Sequence, residues 1–202
     1  MMDTAFWNER YQASDYAYGT APNDFVKEQL NHLPKGKLLF CCEGEGRNAV
    51  YAASLGHEVY AFDQSREGQI KALHLAKTIN TQIHFEVADA SLINYPDQSY
   101  DAIFLIYAHL PAEVRTILHH KTITWLKPNG SIILEAFQPN QLGKASGGPK
   151  QIEMLYSSEQ LNQDFKGIKT LHNQYHKTTL NEGSFHIGEA DIIRFIGKKS
   201  SV

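Results

Sequence analysis

The chain has 202 residues, 42% of them hydrophobic and 20% charged, with a formal net charge of -3 at pH 7. This length and composition suit a full hydrophobic core, so we expect residues 1–202 to form a single domain. No Lys/Arg-rich run, long apolar run or signal-peptide pattern is present, which argues against a nucleic-acid partner and a membrane span and predicts a cytoplasmic protein.

Residues 1–33 are predicted to form a helical cover. Trp7 and Tyr11 lie four positions apart, as neighbours on one helix face do. A second helix is predicted to end near Leu33. Thr20 is predicted as its N-terminal cap, and Pro22 lies where the start of a helix tolerates proline. The segment carries a dense set of aromatic side chains: Phe6, Trp7, Tyr11, Tyr16 and Tyr18.

Residues 34–137 alternate short apolar strands with helices and are predicted to form the cofactor-binding core. The predicted strands are 37–42, 57–62, 82–87, 100–107 and 131–137, and the predicted helices are 48–55, 65–80 and 111–126. The second of these helices has Ser65 as its cap. This alternation predicts an α/β fold with a doubly wound, Rossmann-like, mostly parallel sheet.

Residues 138–202 are predicted to form the substrate side of the domain. A long Gly/Pro-rich loop at 138–150 is typical of a lid or binding loop. A capped helix is predicted at 157–165. Two extended stretches, 168–180 and 184–198, are joined at Asn181-Glu182-Gly183, which predicts an antiparallel C-terminal hairpin.

The cysteines and histidines do not predict a metal site. Cys41 and Cys42 are neighbours in a predicted strand and point to opposite faces, which suits neither a disulfide nor a shared metal. The histidine pairs 119–120 and 172/176 resemble surface residues, because a structural zinc site needs four converging ligands.

The stretch Gly44-Glu45-Gly46-Arg47-Asn48-Ala49 follows the first strand and matches the G-x-G-x-x-A pattern of dinucleotide sites. We call residues 43–46 the glycine turn. Its carboxylates, Glu43 and Glu45, oppose a pyrophosphate, since one carboxylate about 4 Å from a phosphate charge costs roughly 4 kcal/mol at an effective dielectric constant near 20. The turn therefore favours a ligand with a cationic centre and an amino-acid end, such as S-adenosylmethionine.

Acidic residues also follow the second and third strands. Asp63 is placed to accept hydrogen bonds from ribose hydroxyls, which suits either NAD or S-adenosylmethionine. Asp89 is placed to accept from an adenine amino group, with small residues on either side of it. We expect Asp63, its neighbour Gln64, and Asp89 to contact the cofactor, although an isolated aspartate after a strand is often a turn residue.

Several segments together resemble class I S-adenosylmethionine-dependent methyltransferases, of the branch related to tellurite-resistance and thiopurine methyltransferases. The segments are FWNERY (6–11), YGTAPNDF (18–25), EGEGRNAVYAASLGHEVYAFDQS (43–65), ADAS (88–91), YDAIFLIYAHLP (100–111), LKPNGSIILEAF (126–137), GGP (147–149) and FHIGEADIIRFIGKK (185–199). The resemblance implies a seven-stranded sheet with one antiparallel strand in its last pair, which agrees with the predicted hairpin.

The resemblance also implies roles for particular residues. Gly44 and Gly46 would approach the methionine part of the cofactor, and Asp63 would hold the ribose. Asp89 and Ala90 would flank the adenine. The residues that would line the floor after the fourth strand are Ala108 and His109.

The chain departs from the family pattern at three positions. Phe40 stands where the first strand usually carries an acid, and Cys42 stands where a glycine or alanine is frequent. Ile187 replaces the arginine that related tellurite enzymes carry after the histidine. We hypothesise that Glu43 or Glu45 substitutes for the acid missing at Phe40.

Methyl transfer from a sulfonium is an in-line displacement, so the protein mainly supplies alignment and a water-poor pocket. The catalytic candidates are His109 and His186, with a helix-capping histidine and an exposed strand histidine as the respective structural alternatives. Tyr18 could cover the sulfonium through a cation–π contact. A soft anionic acceptor would need no base, whereas a hydroxyl or amine acceptor would need one.

The sequence therefore predicts a methyltransferase that acts on a small molecule, such as one with a soft sulfur, selenium or tellurium nucleophile, and releases S-adenosyl-L-homocysteine. One alternative is a non-catalytic S-adenosylmethionine-binding or regulatory protein. A less favoured alternative is an NAD-dependent oxidoreductase, which Glu43 and Glu45 disfavour. The acceptor and the oligomeric state are left open.

Overall fold

A computed structural model describes residues 3–201. Seven strands form one sheet in the order β3-β2-β1-β4-β5-β7-β6. The strands are β1 (Lys37–Cys41), β2 (Glu58–Asp63), β3 (His84–Val87), β4 (Tyr100–Ile106), β5 (Leu126–Phe137), β6 (Lys169–Glu182) and β7 (His186–Lys198). The first five strands pair in parallel, and β7 lies antiparallel between β5 and β6. The predicted fold class is confirmed.

Six α-helices accompany the sheet within the described residues. They are α1 (Thr4–Tyr11), α2 (Asp24–Leu30), α3 (Arg47–Ser54), α4 (Arg66–Thr78), α5 (Ala112–Trp125) and α6 (Ser158–Asp164). Apolar residues of α2, α3 and α4 pack with one face of the sheet, and those of α5 and α6 pack with the other. Among residues 3–201, no helix is long and apolar enough to cross a membrane.

The alternation of β1 divides its side chains between these two cores. Leu39 and Cys41 face α5 and α6, whereas Leu38 and Phe40 face α2, α3 and α4. Phe40 stacks on Phe104, its partner in β4, with ring centroids 4.6 Å apart. An aromatic pair thus fills the position at which the resembling family carries an acid.

Several predicted boundaries were wrong. The cap of α2 is Asn23 and not Thr20, since the Asn23 side chain accepts a hydrogen bond from the Val26 amide at 3.1 Å. Strand β5 begins at Leu126, because its first residues already pair with the start of β4 and with Lys199. The last hairpin pair is Glu182 with His186, so the turn comprises residues 183–185, which we call the hairpin tip.

Candidate functional site

The glycine turn connects β1 to α3, and three residues of positive φ lie in or directly before it. These are Cys42 at 54°, Gly44 at 60° and Gly46 at 84°. A methyl group at Gly46 would lie 2.5 Å from the Ala72 Cβ in α4, and one at Gly44 would lie 2.6 Å from the Tyr11 hydroxyl. Only glycine fits both positions, because α1 and α4 pack directly against the turn.

Asp63, at the end of β2, lies beside the glycine turn. Its two carboxylate oxygens accept hydrogen bonds from the Gly44 amide at 3.0 Å and the Ser65 amide at 2.9 Å. The side chain is 6% exposed, and burial raises its pKa to about 6. Gln64 points toward α1, where its Oε1 accepts from the Thr4 hydroxyl.

The two carboxylates of the turn are bonded to the protein itself. Glu43 accepts hydrogen bonds from the Asn48 and Ala49 amides at 2.9 and 2.8 Å, so it caps α3. Burial raises the pKa of Glu43 to about 7. Glu45 accepts from the Ala17 amide at 2.8 Å and from Lys71 at 2.7 Å. Both carboxylates are thus bonded within the protein, and the contacts of Glu43 and Glu45 with the cofactor stay predictions.

The residues predicted near the adenine lie at the ends of neighbouring strands. Asp89 follows β3, and its Oδ1 accepts from the amide and hydroxyl of Ser91 at 2.7 and 2.6 Å. These bonds lower the pKa of Asp89 and leave Oδ2 without a protein donor among the described residues. Ala90 and Ala108 are buried, and the Ala108 carbonyl accepts a hydrogen bond from Tyr156.

His109 uses both of its ring nitrogens within the fold. Nδ1 lies 2.6 Å from the Met154 carbonyl, to which it must donate, and Nε2 accepts from the Phe137 amide at 3.1 Å. Burial lowers its pKa to about 4. The residue does not cap α5, whose N-cap is Pro111. This geometry does not favour His109 as a proton acceptor, because it leaves no lone pair open.

His186 is 5% exposed, so the alternative of an exposed strand histidine was wrong. Its Nδ1 lies 3.1 Å from Glu182 Oε2, across the hairpin tip. Its ring lies 4.5 Å from that of Tyr18, 4.7 Å from that of Tyr107 and 5.2 Å from that of Phe137, measured between centroids. The N-terminal cover and the ends of β4 and β5 therefore meet at this imidazole.

Sequence reasoning missed the polar cluster behind His186. Glu182 accepts hydrogen bonds from Arg47 at 2.9 Å and from Asn23 Nδ2 at 3.0 Å. Asn23 also donates to Glu135 at 2.7 Å, which in turn pairs with Arg194 on the adjacent strand at 2.7 Å. Burial alone would raise the pKa of Glu182, but His186 and Arg47 outweigh it and lower that pKa to about 2.

The N-terminal segment, residues 3–23, closes over these groups. The Tyr18 hydroxyl accepts from Arg10 at 3.2 Å, and the Arg10 guanidinium lies 3.8 Å from the Phe185 ring centroid at the hairpin tip. Tyr11 is buried against Gly44. A path of aromatic rings thus joins the glycine turn to His186 through Tyr11 and Tyr18.

The remaining histidines behave differently from each other. His119 is completely buried and bonds Asp164 at 2.8 Å, so its prediction as a surface residue was wrong. His172 and His176 face each other with 3.1 Å between their Nε2 atoms. Within residues 3–201, no group of three or more His, Cys, Asp or Glu side chains is placed to hold a metal ion.

Part of the chain is similar in sequence to known methyltransferases. Residues 39–130 match the family described as "Methyltransferase domain". Phosphoethanolamine N-methyltransferase 1 of Arabidopsis thaliana is 30% identical over 115 residues, which are 56% of this chain and 23% of that protein. The chain thus matches about a quarter of the length of this relative.

Solved structures share the fold at low sequence identity. One, from work on the conversion of a disulfide bond into a thioacetal group during echinomycin biosynthesis, has a TM-score of 0.77 at 16% identity and covers 98% of this chain and 92% of that one. TehB from Haemophilus influenzae has a TM-score of 0.73 at 15% sequence identity, and the match covers 98% of this chain and 67% of TehB. Magnesium protoporphyrin IX methyltransferase from Synechocystis PCC 6803, solved with bound S-adenosylhomocysteine, has a TM-score of 0.67 at 16% sequence identity. The match covers 88% of this chain and 82% of that one.

Residues 39–130 are thus similar in sequence to a methyltransferase domain, and the described chain shares the seven-stranded α/β fold of these solved structures. The likeness to TehB is a likeness of fold, so the narrower tellurite-resistance and thiopurine branch that the sequence predicts stays a proposal.

Proposed function

We propose that this protein transfers the methyl group of S-adenosylmethionine to a small-molecule acceptor beside His186. The observation that carries the proposal is the bond between Asp63 and the Gly44 amide. This bond holds Asp63, which we propose binds the ribose, against the glycine turn, where the strand order reverses between β1 and β4. Ligands of open α/β sheets bind at such a reversal.

The chain's residues fit the cofactor in distinct roles. Asp63 would accept from the ribose hydroxyls, and Asp89, with an oxygen available, would accept from the adenine amino group beside Ala90 and Ala108. The glycine turn, lacking side chains at Gly44 and Gly46, admits close approach of the methionine part. When bound, the cofactor supplies an activated methyl group on a positively charged sulfur.

The cover supplies the remaining requirements of an in-line displacement. Tyr18 presents a partly buried ring between the glycine turn and His186, a position suited to a cation–π contact with the sulfonium. The aromatic walls and the closed N-terminal segment exclude water from the reacting atoms. Of the two candidate histidines, His186 is better placed than His109, because its Nε2 has no hydrogen-bond partner among the described residues.

For the methyl acceptor we propose only a broad class of molecule. The acceptor side is lined by Tyr18, Tyr107, Phe137 and His186, a surface that suits a small molecule with apolar parts. Ile187, 57% exposed, carries no charge, so this position supplies no positive charge to the cluster. A soft sulfur, selenium or tellurium nucleophile remains within the proposal.

Cofactor binding tests the proposal directly. A thermal-shift measurement with S-adenosylhomocysteine at about 100 times its dissociation constant should show about 2.7 kcal/mol of stabilisation, and NADH should show none. Asp63→Asn should abolish the shift, whereas the exposed Asp97→Asn, as the matched control, should retain it. A shift with NADH alone would support the oxidoreductase alternative and overturn the proposal.

Two observations favour a second candidate, a binding protein without turnover. His109 has both nitrogens bonded, and the acid of the first strand is replaced by Phe40, which stacks in the core. Incubation with radiolabelled S-adenosylmethionine and a set of thiols, amines, phenols, selenite and tellurite separates the two. Cofactor binding with no methylated product from any acceptor would establish this second candidate.

A further inference from the structure

We infer that Glu182 and His186 form a proton-accepting dyad and that the methyl acceptor is therefore a neutral protic nucleophile: a thiol, an amine or a hydroxyl. In this dyad His186 is the catalytic residue, and Glu182 is a positioning residue that acts through it. The inference rests on the proposed methyltransferase function and specifies its substrate class.

The hydrogen bonds fix which nitrogen of His186 carries the proton. Glu182 is ionised and is held by Arg47 and Asn23, so it can only accept, and His186 Nδ1 must donate to it across 3.1 Å. A neutral imidazole with its proton on Nδ1 presents a lone pair at Nε2. No described residue donates a hydrogen bond to that lone pair.

The loop opposite His186 places no side chain against Nε2 at residue 147. Gly147 lies against the imidazole with a φ of 120°, and a methyl group there would lie 3.3 Å from Nε2 and 2.7 Å from Cδ2. Any side chain at this position would crowd the nitrogen. Glycine at 147 thus keeps the loop at 138–150 from crowding the lone pair on His186 Nε2.

The charges around the imidazole suit a base that is neutral at rest and stabilised once protonated. Burial and Arg47 lower the pKa of His186, while Glu182 and Glu135 oppose them. The other titratable groups that face the ring are Tyr18, Tyr107 and His109. An imidazolium formed here would pair with Glu182 and lie against aromatic rings, which attract a cation.

The proton balance of the transfer explains why such a dyad would be needed. The acceptor's X–H bond gives its proton to His186 Nε2, and its electron pair forms the bond to the methyl carbon. The carbon–sulfur bond breaks with its pair left on sulfur, which becomes a neutral thioether. The imidazolium then returns its proton to solvent. An acceptor that is already anionic has no proton to give and would gain nothing from the dyad.

A spectroscopic experiment tests the dyad without turnover. Nitrogen-15 NMR of histidine-labelled full-length protein, with His186 assigned through His186→Asn, reports the tautomer and the pKa. We expect the neutral Nδ1–H tautomer at pH 8, and a lower His186 pKa in Glu182→Gln because the carboxylate charge is lost. The Nε2–H tautomer in the wild type, or an unchanged pKa in the variant, would overturn the dyad.

A kinetic experiment tests the substrate class with matched probes. The protic probes are 2-mercaptoethanol, ethanolamine and catechol, and the aprotic probe is iodide. For a protic probe, Glu182→Gln should lower kcat by 10²-fold or more and move the ascending limb of the pH profile to lower pH. Glu182→Asp should restore part of the rate, and Glu189→Gln, which alters an exposed carboxylate on β7, should change nothing.

The outcomes separate this inference from the methyltransferase proposal. Turnover of iodide alone, or equal protic rates in wild type and Glu182→Gln, would overturn the dyad and leave the methyltransferase standing. Binding of S-adenosylhomocysteine in every variant shows that the glycine turn is intact. If no probe is methylated, the methyltransferase proposal fails, and the dyad, as a catalytic device, fails with it.

Discussion

Cys42 has a side chain at a backbone conformation that favours glycine. Its φ of 54° lies in the left-handed region, where a side chain costs energy and glycine does not. We predict that Cys42→Gly is more stable than Cys42→Ala by about 1 kcal/mol, because both lose the sulfur and only alanine keeps the strain. Urea unfolding of the two variants measures the difference, and equal midpoints would refute the strain.

Glu43 should make the protein less stable as pH rises. Burial raises its pKa from 4.5 to about 7, so the folded state binds the proton more tightly than the unfolded state does. The unfolding free energy therefore falls between about pH 4.5 and pH 7 and is level above that. A shift of this size corresponds to about 3 kcal/mol.

Glu43→Gln removes this dependence, because the amide does not titrate and its oxygen can still accept from the Asn48 and Ala49 amides. We predict that the variant gains up to about 3 kcal/mol relative to wild type between pH 4.5 and pH 8. Urea unfolding across this range measures the gain. Glu153→Gln, at an exposed position, is the control and should run parallel to wild type. The same parallel behaviour from Glu43→Gln would show that the carboxylate is not destabilised by burial.

At the scale of elements, α6 is held to α5 by a buried charge cluster. Asp164 at the end of α6 accepts hydrogen bonds from Arg115 Nε at 2.7 Å and from His119 at 2.8 Å. Burial alone would raise the pKa of Asp164, but these two partners lower it, so the residue is ionised at neutral pH. The helix start is held separately by a capping box between Ser157 and Gln160.

These two attachments should differ in strength. Asp164→Asn leaves a buried guanidinium without its counter-charge and should cost about 3–5 kcal/mol at pH 7. Ser157→Ala removes one cap and should cost about 1 kcal/mol. Thermal unfolding of both variants ranks the attachments. A smaller loss for Asp164→Asn than for Ser157→Ala would mean that packing on Phe165, and not charge, fixes α6.

The same contrast shows how far the sequence leads. Ser65 and Ser157 were predicted as caps because a cap and its helix lie within four residues of each other, and the alternation of apolar strands predicted the sheet. Asn23 was not predicted as the cap of α2, because Thr20 and Pro22 form an equally good local signal for a helix start. Its bonds to Glu135 and Glu182 join residues 112 and 159 positions away, which no local pattern encodes.

At the scale of the whole molecule, the N-terminal segment and the hairpin tip form one cover from opposite ends of the chain. Gly183 packs so closely that a methyl group there would lie 2.4 Å from the Ala17 carbonyl oxygen. Arg10 spans the junction, with Tyr18 on one side and Phe185 on the other. Since Tyr11 of the same segment contacts Gly44, a change at the glycine turn should reach the hairpin tip through this cover.

Hydrogen exchange can measure that coupling. Bound S-adenosylhomocysteine should slow amide exchange at the glycine turn and also at residues 180–188, because closing the cover removes local openings at both places. In Arg10→Ala the turn should still be protected and the tip should not, since the junction has lost its contacts to Tyr18 and Phe185. Lys27→Ala, at an exposed position on α2, is the control. Equal tip protection in both variants would show that the hairpin closes independently of the N-terminal segment, and the cover would then be two separate parts.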